Sequence, residues 1–201
     1  MTGDTSDFRP VHDFANSTSW LHGFMSFMAK DGIALFAITL LVGWWLGRSE
    51  PSARKVALAV WAALAAVVAL VLVQPIASAA DEARPFVVLH FTPLIAHARD
   101  AGFPSDHATG AGAIAAGLMF VSWRLGLVTT LLALLIAFSR VYVGVHFPQD
   151  VAAGLALGAV VAVLGVFIVV PLLTRLVRWL GGTPLRPLVA TGSARSPEPA
   201  L

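Results

Sequence analysis

The sequence predicts an all-α protein: a polytopic membrane helical bundle of about five transmembrane helices, with an N-terminal helix lying in the interface. Three observations predict it. Of the 201 residues, 58% are apolar and only 12% are charged, and the mean hydropathy is +0.82. A soluble domain is about half apolar and about a quarter charged, so there is too little charge here to coat a water-facing surface. Val56–Ala80 and Val151–Thr174 contain no charged residue, and each exceeds the roughly 20 apolar residues that a span requires. The chain also has no cysteine, which excludes a disulfide framework and thiolate metal sites.

In chain order, residues 1–10 are polar and are expected to form a flexible N-terminus. The first 13 residues hold three aspartates, which argues against a secretory signal. Val11–Ala29 mixes His12, Asp13, Asn16 and His22 with Phe14, Trp20, Phe24 and Phe27, the pattern of an amphipathic interfacial helix rather than a sixth span. Spans are expected at 32–47, 55–80, 107–123, 125–143 and 149–174. The membrane domain covers 11–176, and the Pro-, Gly- and Ser-rich tail 177–201 is expected to be disordered.

Five spans place the termini on opposite sides. The side with the first and third turns and the C-terminal tail holds 8 of the 13 basic residues and 2 of the 11 acidic ones. That asymmetry makes it the cytoplasmic side, so the 81–106 loop faces outward. The sequence pI near 9.7 is then a topology signal and gives no support to nucleic-acid binding. The sequence leaves the oligomeric state open.

Three segments carry polar groups that a lipid-embedded chain should avoid, and all fall on the outward side. The first is Asp81-Glu82-Ala83-Arg84-Pro85-Phe86, where the Arg84 guanidinium can grip a phosphate in a fork. The second is Phe103-Pro104-Ser105-Asp106-His107, where Ser105 or Asp106 suits the N-cap of the third span and the helix end favours an anion. The third runs from Ser139-Arg140 through His146 to Asp150. A carboxylate holding one imidazole nitrogen leaves the other more basic, which equips a histidine as nucleophile or base. Each feature alone has a plainer reading: Asp106 as a simple cap, His107 as an interfacial histidine, Arg84 and Arg140 as snorkelling side chains. The glycines and alanines crowded into the third and fifth spans, from Gly110 to Gly117 and from Ala152 to Ala159, let helices pack closely.

Taken together, Arg-Pro, then Pro-Ser-x-His, then Ser-Arg-x5-His-x3-Asp resembles the type 2 phosphatidic acid phosphatase (PAP2) superfamily over roughly residues 30–175. The second and third motifs match fully. The first departs: the family pattern is Lys-x6-Arg-Pro, and its lysine position, seven residues before Arg84, falls on Ala77. Glu82, Arg99 and Lys30 are the charged residues that stand nearest to fill the gap. The resemblance implies that His146 is a nucleophile forming a phospho-histidine, that Asp150 orients it, and that His107 is the general acid and then the base for water. It implies that Arg84, Arg140, Ser105 and Ser139 hold the phosphoryl oxygens, with Glu82 and Asp106 as accessory residues. No metal and no cofactor is expected, because the arginines supply positive charge. The runs 103–109 and 139–151 look most like the bacitracin-resistance type of undecaprenyl-diphosphate phosphatase. That resemblance implies a polyprenyl diphosphate as substrate and the bilayer as partner. Two other readings remain: the same chemistry on phosphatidylglycerophosphate or phosphatidate, and a non-catalytic membrane scaffold. The vanadium haloperoxidases share the motif but are soluble, which this composition excludes.

Overall fold

The computed structural model describes residues 5–50 and 52–189, and every regular element among them is helical. Helix α1 (Thr5–Ser17) and α2 (His22–Lys30) are followed by α3 (Leu35–Ser49) and the long α4 (Ala53–Ala80). The short α5 (Pro85–Val88) opens a loop that leads to α6 (Asp106–Val121). Then come α7 (Trp123–Tyr142), α8 (Pro148–Ile168), α9 (Val170–Leu180) and the single turn α10 (Arg186–Val189).

Four segments are long and apolar enough to cross a membrane: Gly32–Ser49, Ala53–Val88, Trp123–Tyr142 and Pro148–Ile168. The five expected spans therefore map onto four long helices and a shorter one. At about 1.5 Å per residue, the 16 residues of α6 reach only about 24 Å, against roughly 30 Å of hydrocarbon. Its surroundings explain its length. Most of α6 is buried, including every residue from Ala108 to Ala115, so protein rather than lipid forms most of its wall.

Small residues make that burial possible. A Cβ on Gly158 of α8 would strike the Thr109 carbonyl, and one on Gly112 of α6 would strike the Leu155 carbonyl. With hydrogen in those places the two backbones touch, and α6 packs more extensively on α8 than on any other element. Trp61 of α4 donates its indole N–H to the Ala162 carbonyl at 2.8 Å and lies against Gly165, which ties α4 to α8.

Four boundaries differ from the sequence expectation. Residues 5–10, expected to be flexible, form the start of α1, because Phe8 is fully buried and stacks on His12 and Phe91 with an edge contact to Phe147. The fifth expected span breaks at Val169 and restarts as α9, with Pro171 in the first turn of the new helix, where a missing N–H costs least. Helix α9 also continues beyond residue 177 to Leu180, with Val177 buried, and Trp44 donates to the Leu188 carbonyl. The remainder of the expected tail, 190–201, lies outside the described residues. The predicted interfacial helix over 11–29 is two helices, α1 and α2, parted by a turn at 18–21.

Candidate active site

The connections at one end of the bundle build the site. Helix α4 stops where Asp81 turns left-handed (φ 43°), its N–H bonded to the Ala77 carbonyl. Arg84 follows in extended conformation, and Pro85 opens α5. After α7, Gly144 takes φ 85° against the ring of Phe91, where a Cβ would lie 2.6 Å from the ring. This turn carries His146 inward, and Pro148 starts α8 at once. The second and third motif segments are stitched together by Ser105 N–H donating to the Asp150 carbonyl at 3.1 Å.

These segments enclose a cavity of about 420 Å³. Arg84, His97, Asp100, Asp106, His107, Arg140 and His146 line it, and Gln74, Ala77, Ser78 and Asp81 form the α4 wall. The spacing of Gln74, Ala77 and Ser78, at i, i+3 and i+4, puts them on one face of α4, and Asp81 follows at its left-handed end.

His146 is the centre. It is 2% exposed, and its Nε2 meets Arg84 Nη1 at 3.1 Å and Arg140 Nη2 at 3.4 Å. A guanidinium can only donate, so Nε2 is unprotonated and its lone pair accepts both hydrogen bonds. The proton is then on Nδ1, which donates to the Gly102 carbonyl at 2.9 Å. Burial, followed by the charges of Arg140 and Arg84, holds His146 well below the ordinary histidine value of 6.5. The imidazole is therefore neutral with its lone pair turned toward two cations.

Asp150 stands one step further back than expected. Its Oδ2 lies 3.4 Å from His146 Nδ1 but accepts the Phe147 N–H at 2.8 Å, the reciprocal half of a helix cap. The direct acceptor for Nδ1–H is the Gly102 carbonyl. Asp150 Oδ1 is buried without a partner.

The two arginines are held by different groups. Arg84 donates through Nε to Asp100 Oδ1 at 2.9 Å, through Nη1 to the Val145 carbonyl and through Nη2 to the Ala101 carbonyl. Arg140 donates through Nη1 to the Ala29 carbonyl at the end of α2 and through Nη2 to His97 Nε2 at 3.0 Å. The ring of His107, half-buried in the first turn of α6, lies near the backbone of Lys30 at the end of α2.

Of the residues singled out in the sequence, Arg84, Asp106, His107, Arg140 and His146 reach the cavity. Ser105, Ser139, Glu82 and Asp150 stand behind its wall. Ser139 donates its hydroxyl to the Ile136 carbonyl of its own helix. Ser105 occupies the N-cap position of α6 but makes no side-chain cap bond, and its Oγ is buried without a partner. Glu82 is buried and accepts from Gln149 Nε2 at 2.9 Å, joining the first segment to the start of α8. The nearby charges expected to offset Ala77 are elsewhere: Arg99 lines a neighbouring cavity, and Lys30 contributes its backbone.

The arrangement sets a neutral imidazole lone pair, two guanidinium groups and a second histidine around one space. It suits a tetrahedral oxyanion attacked by nitrogen. The match to known proteins has the same centre. Residues 58–173 match the PAP2 superfamily. The chain belongs to that superfamily. This PAP2 member is 35% identical over 157 residues to the undecaprenyl-diphosphatase BcrC of Bacillus subtilis, across 78% of this chain and 79% of that one. It is 32% identical over 161 residues to an undecaprenyl-diphosphatase of Sulfolobus acidocaldarius, across 75% and 72%. The crystal structure of Aquifex aeolicus LpxE shares its fold, with a TM-score of 0.62 at 24% identity over 80% of this chain and 92% of that one.

His97 and Asp100 are the site residues that motif reading missed. They lie in the loop between α5 and α6, outside all three motif segments. Their one sequence signal is the polar run His97-Ala98-Arg99-Asp100. Among the described residues, no group of three or more His, Asp or Glu side chains is gathered as a metal-ligand set.

Proposed function

We propose that this PAP2 member is a membrane phosphatase that removes the terminal phosphate of undecaprenyl diphosphate through a phospho-histidine on His146. The observation that carries the reading is the unprotonated Nε2 of a buried His146, its lone pair facing Arg84 and Arg140. The similarity to two undecaprenyl-diphosphatases, across 78% and 75% of this chain, supports the choice of lipid.

In this reading Nε2 attacks the terminal phosphorus in line, and the bond from that phosphorus to the bridging oxygen breaks. With the diphosphate's negative charge bound beside it, His107 is protonated and gives that proton to the bridging oxygen, and undecaprenyl phosphate departs. The same imidazole, now neutral, takes a proton from water as the water oxygen attacks the phospho-histidine, which releases inorganic phosphate and restores Nε2. Arg84 and Arg140 stabilise the equatorial oxygens, where charge is shared in the transition state. The free N–H groups at the start of α6 add to that field. Asp150 acts behind His146, as a negative charge near Nδ1 and as the cap of α8. Ser105 and Ser139 shape the wall. The charge asymmetry of the loops supports a site on the outer face of the cytoplasmic membrane.

The test is a phosphate-release panel on the purified chain in detergent, with undecaprenyl diphosphate, phosphatidylglycerophosphate and phosphatidate. The reading predicts clear preference for the diphosphate, with activity intact in chelator. Equal rates on all three would reject the lipid assignment, and loss in chelator would reject a metal-independent mechanism.

A further inference from the structure

Arg84 and Arg140 bring two positive charges onto one nitrogen atom, and such a pair repels itself unless each is held. Arg84 is held by a carboxylate and two carbonyls. Arg140 is buried, and no carboxylate bonds it among the described residues. Its hold consists of the Ala29 carbonyl and the imidazole of His97. We propose that His97 is a positioning residue that aims the Arg140 guanidinium at the reacting centre while leaving its charge uncompensated.

The hydrogen bonds fix the tautomer. Arg140 Nη2 can only donate, so His97 Nε2 accepts and Nδ1 carries the proton, directed to the Ala98 carbonyl at 3.2 Å. Asp100 Oδ1 stands 3.7 Å from that Nδ1 and also binds Arg84 Nε. One loop therefore reaches both arginines, His97 for one and Asp100 for the other. The His97 ring also stands edge-on to that of His146, with centroids 6.3 Å apart, and forms part of the wall between the active-site cavity and a second one. Burial and then the charge of Arg84 lower its pKa below the usual histidine value, which keeps the acceptor nitrogen free.

A neutral acceptor has a distinct chemical consequence. A carboxylate in its place would orient Arg140 equally well but would cancel much of the field that a phosphoryl oxygen feels. An aliphatic side chain would leave the charge but release the aim. The inference rests on the phosphatase reading of this site, and it separates acceptor from charge in a way that reading does not.

The experiment compares His97→Leu, His97→Gln and His97→Glu with the wild type, as full chains in detergent. Steady-state kinetics use undecaprenyl diphosphate, and calorimetric titration uses orthovanadate, a mimic of the five-coordinate phosphoryl transition state. Leu is expected to lower kcat by roughly 10- to 100-fold, as a small misplacement of a catalytic group does, with little change in KM and in melting temperature. Vanadate affinity should fall in parallel. Gln, which keeps a neutral acceptor, should restore most of kcat, and Glu should remain below Gln. Three results would overturn the inference: a Leu variant equal to wild type, a Gln variant as impaired as Leu, or a Glu variant as active as Gln. If the wild type released no phosphate from the lipid, the substrate reading would fail. Vanadate titration would still judge His97, since equal affinity in wild type and Leu variant contradicts the aim assigned to it.

Discussion

Two stretches of irregular chain meet over His146. The turn 143–147 between α7 and α8 is short, is set by the left-handed Gly144, and delivers a motif residue. The loop 89–105 between α5 and α6 is long, holds no helix, and delivers carbonyls, a carboxylate and an imidazole that hold the groups around His146. The turn supplies reacting atoms at spacings close enough to read as a pattern. The loop supplies direction, and its contacts join residues far apart in sequence: Gly102 to His146, Asp100 to Arg84, His97 to Arg140.

That division predicts unequal effects. His146→Ala removes the only proposed nucleophile and should lower phosphate release by about 10⁴-fold or more while the protein stays folded. Residual activity near wild type would put the reaction outside the turn altogether. Arg140→Leu should cost about 10²–10³-fold in kcat, the usual loss for one transition-state donor, and Arg84→Leu should match it if both cations act on the same oxygens. A much milder Arg84 effect would mean that its salt bridge to Asp100 is its main role.

The pH profile separates the two regions more gently. His146 must be neutral to attack, and its lowered pKa keeps it so as the pH falls through 6.5. The acid limb of kcat/KM, which reports the free enzyme, should therefore lie below pH 6.5. Arg140→Gln removes a charge that disfavours imidazolium, so the limb should move upward. A limb that stays fixed in the variant would show that burial alone sets the value. The smallest change should come from Ala77→Lys, which puts a cation on the α4 wall of the cavity. It should lower KM modestly with kcat near wild type, and a rise in KM would show that the wall cannot take the charge.

The helical membrane architecture was legible because charge-free runs and polar interruptions are local properties. The centre of the site was legible for the same reason, since His146, Arg140 and His107 sit in two compact motifs. Three things were not legible. The role of 5–10 depends on Phe8 meeting Phe91 and Phe147, partners that only the fold brings near. The length of α6 reflects burial by α4, α7 and α8 rather than its own composition. The orientation of His146 Nδ1 toward a backbone carbonyl has no side-chain signature, so the spacing pointed to Asp150 instead.

The most direct test is to trap the intermediate. The wild-type chain is mixed with undecaprenyl diphosphate labelled in its terminal phosphate, quenched in alkali during turnover, digested and mapped. The account predicts label on the peptide containing His146, stable in alkali and lost in acid, and absent from His146→Ala. Steady release of phosphate with no label on His146, or label on another residue, would contradict it.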